Sequence, residues 1–179
     1  MTSGDDPRVM IQTDLGDIVL ELYPKQAPLT VHNFLRYVDE KRFAGASFYR
    51  VVRIDNQPDS KIKIEVVQGG LKIDDHPQSL PPIPHESTKL TGILHTDGVI
   101  SMARDEPGTA SSDFFICIGD QPELDFGGRR NPDGEGFAAF GKVIQGMEVV
   151  HKIHRSPARE QTLEPAIAIL RMQTVLHEN

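Results

Sequence analysis

Two side chains on neighbouring apolar runs hold the chemistry this sequence offers. One is Arg50, in Phe48-Tyr49-Arg50-Val51-Val52. The other is Gln68, in Val67-Gln68-Gly69-Gly70. A guanidinium is permanently charged and presents N–H donors in a fixed fork, while a glutamine amide both donates and accepts. Taken alone, an arginine on a strand reads as a surface or paired residue. Phe114-Phe115 supplies an apolar counterpart. Adjacent strand residues point to opposite faces, so one ring fills a core. The other faces outward, either under a loop or as the floor of an apolar pocket.

Other chemistry is poorly represented. The chain has no phosphate loop of the Walker type, no dinucleotide Gly-x-Gly-x-x-Gly and no Gly-x-Ser-x-Gly elbow. His151 and His154 stand at i, i+3, a spacing that can chelate, but without an evident third ligand they read as a solvated helix end. His76, His85 and Glu86 form a looser group in a loop. Ser111 and Ser112 precede Asp113 with no histidine partner marked, and they read as turn residues before a strand. No metal or other cofactor is expected. The single cysteine, Cys117, lies in an apolar run and reads as a small buried thiol.

The elements that must position Arg50 and Gln68 are mostly strands. Val9 to Thr13 and Asp17 to Tyr23 read as a hairpin, with Ile18, Leu20 and Leu22 on one face by period two. Thr30 can cap a helix whose apolar stripe is Val31, Phe34, Leu35 and Val38, ending near Lys41. Ser47 to Ile54 is a strand, and Asp55 to Ser60 a polar loop. Ile62, Ile64, Val66 and Gln68 then alternate with Lys61, Lys63, Glu65 and Val67, as a strand would. Residues 73 to 97 read as a long ordered loop. Val99–Ala103, Phe114–Ile118, Phe137–Ile144 and Ala166–Val175 are strand candidates. Asp120–Gly136 is a loop, and Met147–Ile153 a short helix with Val149, Val150 and Ile153 facing in. The strands do not alternate regularly with helices, so a parallel βαβ sheet is disfavoured. A mainly β antiparallel barrel or sandwich with packed helices fits, as one domain over residues 9–176 behind a flexible N-terminus at residues 1–8.

The 179 residues suffice for one domain with a real core. Lys and Arg number 19 against 26 Asp and Glu, a net charge of −7, which disfavours nucleic acid as a partner because phosphate binding needs clustered cations. No run of eighteen apolar residues marks a membrane span. No secretion signal is visible at the N-terminus, so a cytoplasmic location is expected, with a periplasmic or secreted one open if a leader was trimmed.

Taken in order, the segments Leu15 to Pro24, Ala27 to Leu35, Phe48 to Val52, Val67 to Gly70, Gly98 to Arg104, Ala110 to Ile116 and Phe137 to Met147 resemble the cyclophilins, in the style of the bacterial branch. The resemblance runs from about residue 9 to residue 175. It implies a closed eight-stranded antiparallel β-barrel capped by two α-helices, and peptidyl-prolyl cis–trans isomerase activity in protein folding. It makes Arg50 and Gln68 the catalytic pair. It places Phe115 under the substrate proline, Ala103 and Arg104 along the edge that pairs with the bound peptide, and Leu124 in an apolar wall. It implies proline-containing peptides and unfolded clients as partners, and a monomer. The alternative is a proline-peptide-binding module or chaperone with little turnover.

The departures from the family pattern bear on the groove. Glu65-Val66 stands where Phe-Met is usual, which takes an aromatic wall and a flexible sulfur side chain from the proline pocket. The chain between Arg50 and Gln68 is longer than usual. Asp113 replaces a glutamine, brings negative charge towards the groove and could pair with Arg50. Phe137 replaces a histidine or tyrosine and loses the polar tip. The chain has no tryptophan. Glu123 lies where cyclosporin-sensitive members carry one, so weak cyclosporin binding is expected.

Overall fold

Among the described residues nine strands form one antiparallel sheet in the order β1-β2-β7-β5-β6-β4-β3-β9-β8, and an added β1–β9 pairing closes it. The structure, a computed structural model, describes residues 5–177. The strands are β1 (Arg8–Thr13), β2 (Gly16–Leu22), β3 (Ser47–Val52), β4 (Val66–Gly70), β5 (Val99–Met102), β6 (Phe114–Cys117), β7 (Ala138–Gln145), β8 (Ala158–Arg159) and β9 (Thr162–Val175). The two-residue β8 hangs on β9 alone, so the closed wall has eight strands, as expected.

Closure follows from the alternation. In β1 and β2 the apolar set Val9, Ile11, Ile18, Leu20 and Leu22 is fully buried inside the wall. A one-residue slip would turn all five outward. The turn between these strands is fixed locally: Thr13 Oγ1 donates to the Gly16 carbonyl at 2.8 Å and accepts from the Leu15 N–H at 3.1 Å.

Among the described residues three α-helices accompany the barrel: α1 (Pro28–Asp39), α2 (Thr88–Thr91) and α3 (Met147–His154). The four-residue α2 falls in the segment expected to be loop. Along α1, Val31, Phe34 and Val38 are buried as expected, together with Tyr37. The Phe34 ring meets Phe43, Phe114 and Phe140 at centroid distances of 5.5, 5.7 and 5.2 Å. Such aromatic pairs add to the area they bury. Val149, Val150 and Ile153 of α3 are buried as read from their spacing. No described helix is long and apolar enough to cross a membrane.

Several boundaries differ from the sequence reading. Thr30 is not the cap of α1: Pro28 opens the helix, a position where a missing N–H costs nothing. Thr30 lies in the first turn, and its N–H and hydroxyl both donate to Glu86 Oε1 at 2.6 Å. Glu86 thus satisfies the helix start from 56 residues away. The strand expected from Ile62 begins only at Val66. The backbone of the preceding segment is satisfied by side chains instead. Gln57 Nε2 donates to the Ile64 carbonyl, Gln57 Oε1 accepts from the Ile64 N–H, and Arg130 donates to the Ile62 carbonyl. The last strand starts earlier, at Thr162, because β9 pairs with β3 and β8 before it reaches β1. Of the N-terminal stretch expected to be flexible, residues 1–4 lie outside the described residues. Asp6 is buried, and Arg8 opens β1.

Candidate active site

The site is a row across the barrel wall. Arg50 on β3 pairs with Gln68 on β4, Gln68 with Phe115 on β6, and Phe115 with Ser101 on β5. Period two then decides what each face carries. Val51, Val67, Phe114 and Ile116 point into the barrel and join the main core. Val52, Val66, Phe115 and Cys117 point outward and form a second apolar cluster with Ile64 and Leu124, against which Ala103 and Phe137 pack. The outward phenylalanine is therefore a pocket floor and not a surface ring.

This outer cluster lines a cavity of about 360 Å³, with Arg50, Gln68 and Arg130 supplying its polar rim. Phe115 is only 4% exposed and is held from two sides. Phe137 meets it edge-on at 5.2 Å, and His95 stacks on it at 6.0 Å with an interplanar angle of 14°. His95 is itself fixed by Asp125 Oδ1 at 2.7 Å and Ser101 Oγ at 2.8 Å.

Loops bring the remaining wall into place. Arg104 has a side chain only 1% exposed. Its Nε and Nη2 donate to the Gly136 carbonyl at 2.9 and 2.6 Å, and Nη1 and Nη2 donate to Asp133. The guanidinium also lies 5.0 Å over the Phe137 ring, a favourable cation–π placement. The side chain thus clamps the 120–136 loop, which presents Leu124 and leads into Phe137, and Arg104 also lines the cavity as the sequence reading placed it. Arg130 ties the same loop to the segment before β4 through Gln57, Ser60 and the Ile62 carbonyl.

Arg50 is half-buried, and burial lowers its pKa from the ordinary value, with the neighbouring Tyr49 opposing. Nη1 donates to Gln68 Oε1 at 2.7 Å, while Nε and Nη2 donate to Gln161 Oε1 at 3.0 and 2.7 Å. A guanidinium has five N–H groups, so these bonds leave one hydrogen on each Nη for a ligand. Asp113 does not pair with Arg50. Its carboxylate accepts from the Tyr49 hydroxyl at 2.6 Å, from the Lys72 N–H at 3.1 Å and from Ser112 Oγ at 3.0 Å. Burial, then the hydrogen bond and charge of Asp113, push the Tyr49 phenol above its ordinary value.

The other departures resolve as follows. Glu65 turns away from the groove, and its carboxylate lies 3.6 Å from His154 Nε2. The wall position falls to Val66, helped by Ile64, which sits two residues earlier on the same face. Glu123 pairs with Arg129 at 3.1 Å on the loop surface. Two of the histidines considered for metal meet backbone carbonyls: His154 Nε2 faces the Val52 carbonyl at 3.0 Å and His85 Nε2 the Glu135 carbonyl at 3.0 Å. Among the described residues no group of three or more His, Cys, Asp or Glu is placed to hold a metal ion. Cys117 is buried, which raises its thiol pKa.

The structure adds Gln161, Tyr49, Ile64, Arg130 and His95 to the site. Ile64 shares the alternation of Val66 and Gln68, so that signal was in the sequence. Gln161 lies 111 residues from Arg50, and no local pattern connects them.

The structure is thus a closed barrel with a guanidinium at the rim of an apolar cavity. The family model described as "Cyclophilin type peptidyl-prolyl cis-trans isomerase/CLD" matches residues 8–174. The chain is 38% identical over 148 residues to peptidyl-prolyl cis-trans isomerase A of Dickeya dadantii, covering 81% of this chain and 70% of that one. It is 35% identical over 150 residues to a peptidyl-prolyl cis-trans isomerase of Acinetobacter baylyi, covering 83% and 72%. It is 31% identical over 174 residues to peptidyl-prolyl cis-trans isomerase-like 3 of Gallus gallus, covering 96% of each. In fold it is similar to a Cryptosporidium parvum cyclophilin type peptidyl-prolyl cis-trans isomerase, with a TM-score of 0.74, 22% identity, and 97% and 99% of the two chains covered. The chain belongs to the cyclophilin-type peptidyl-prolyl cis-trans isomerase family.

Proposed function

We propose that this protein accelerates rotation about X-Pro peptide bonds, with Arg50 as the catalytic residue and Gln68 supporting it. The observation that carries this reading is the Arg50 guanidinium, with two N–H groups unspent, at the rim of the apolar cavity floored by Phe115. Resonance sets a rotation barrier of ~18–20 kcal/mol, and unaided X-Pro bonds turn in tens to hundreds of seconds. Raising the rate from roughly one event in 100 s to roughly 100 per second is ~10⁴-fold, or about 5.5 kcal/mol. Only the twisted state has to be favoured. There the proline nitrogen regains its lone pair and accepts a hydrogen bond, and a fixed cation beside it strengthens as charge localises. The proline ring sits against Phe115 between Val66, Leu124 and Phe137, which holds one side of the bond while the other turns. The peptide backbone lies along Ala103. No covalent step and no cofactor is required.

The test is exchange NMR on a short X-Pro peptide with catalytic amounts of the protein and of Arg50→Ala. The wild type should speed cis–trans exchange, and the variant should lose it while still binding peptide. Shifted peptide signals without faster exchange would make the barrel a binding module and overturn the reading.

Two further expectations belong with it. Glu123, tied to Arg129, offers cyclosporin no indole edge, so binding should be weak and Glu123→Trp should tighten it in a titration. The protein should sediment as a monomer that acts on client chains in the cytoplasm.

A further inference from the structure

The hydrogen bonds around Arg50 run as a directed chain, and both ends of it are obligatory. At one end a carboxylate only accepts, so the Tyr49 hydroxyl donates to Asp113 Oδ2 at 2.6 Å. The Tyr49 oxygen is then left to accept, and Gln68 Nε2 donates to it at 2.9 Å. That fixes the orientation of the Gln68 amide, with Oε1 turned to Arg50 Nη1 at 2.7 Å. At the other end a backbone carbonyl likewise only accepts. Gln161 Nε2 donates to the Asn56 carbonyl at 3.0 Å, and Gln161 Oε1 is turned to Nε and Nη2 of Arg50. Flipping either amide would set N–H against N–H at the guanidinium and leave an acceptor facing an acceptor.

We propose that Tyr49, held by Asp113, and Gln161, held by the Asn56 carbonyl, are positioning residues that fix the two glutamine oxygens on which Arg50 rests. They aim the remaining guanidinium hydrogens at the turning amide. This rests on the isomerase reading of the same site. The chain crosses five parts of the fold, β3, the turn after it that carries Asn56, β4, the residue before β6 and the turn before β9, so the guanidinium plane is set by segments distant in sequence. Asp113, which stands where negative charge would be expected to compete for Arg50, instead acts on it through two intermediaries.

The test uses Gln161→Met and Tyr49→Phe, close in shape to the originals but unable to make these bonds. Exchange NMR gives kcat and KM for an X-Pro peptide, and the ¹⁵N-resolved Arg50 Nε–H line gives its solvent-exchange rate. Misaiming a group that acts only in the twisted state should lower kcat about tenfold while KM stays within about twofold. The Arg50 Nε–H should shift in both variants and exchange faster in Gln161→Met. An unmoved Arg50 line in both variants overturns the proposal, whether or not kcat falls, because a fall would then reflect general loosening. Unchanged kcat in both variants overturns it as well. If the wild-type protein does not accelerate exchange, the isomerase reading fails on its own, and the Arg50 line alone decides the positioning claim.

Discussion

At the scale of single residues, the site divides between a charged group that must be aimed and an apolar floor that must be rigid. Phe115 is clasped by His95 and Phe137 and almost wholly buried. Truncation to alanine therefore empties the slot. Phe115→Ala should cost about 3–5 kcal/mol of stability and raise KM for X-Pro peptides, read from urea unfolding and exchange kinetics. Tyr49 gives a pH signature. Burial first, and Asp113 second, raise its phenol above the ordinary 10.0. The folded protein thus keeps a proton that the unfolded chain gives up first. The contribution is complete below that value and is lost as pH rises through the folded one. Unfolding free energies from about pH 9 to 11 should fall more steeply for wild type than for Tyr49→Phe. Equal slopes would contradict this.

At the scale of elements, the barrel wall is regular and its irregular surroundings are tied by single polar residues. Glu86, 8% exposed, spends its carboxylate on the first turn of α1, where the helix dipole and two donors favour a negative charge. Glu86→Ala should cost about 2 kcal/mol in thermal or urea unfolding. The catalytic constants should change little, because α1 faces the core and not the groove. Arg104 has the corresponding task for the 120–136 loop, through Gly136 and Asp133. That bond holds the Asp133 carboxyl below its ordinary 3.8, so the clamp persists at mildly acidic pH and is lost only as pH falls through the lowered value.

At the scale of the molecule, closure is the decisive property. The β1–β9 register from Arg8↔Val175 to Thr13↔Ile169 joins the ends of the chain. Without it β1 would expose an unpaired edge. Removing residues 171–177 should abolish cooperative unfolding and the near-UV signal of the packed aromatics, monitored by circular dichroism. A truncated chain that still melts in one sharp transition would show that the wall holds without closure.

The sequence by itself determined most of the strands and the faces of their residues, though not all of their boundaries. Period two placed Val66 and Gln68 on one face and split Phe114 from Phe115, because alternation is a local property of the extended backbone. The resemblance implied the barrel and the roles of Arg50, Gln68, Phe115, Leu124 and Phe137, and the family and fold are as it implied. Only the tertiary structure decided who touches whom. Asp113 went to Tyr49 and not to Arg50, Glu65 went to His154, and the Arg104 guanidinium went to Gly136 and Asp133. Gln161 arrived at Arg50 from the far end of the chain. Hydrogen-bond partners of this kind are set by register across strands and by loops meeting at the barrel rim. They depend on separations of tens to a hundred residues, and no window along the sequence carries that information.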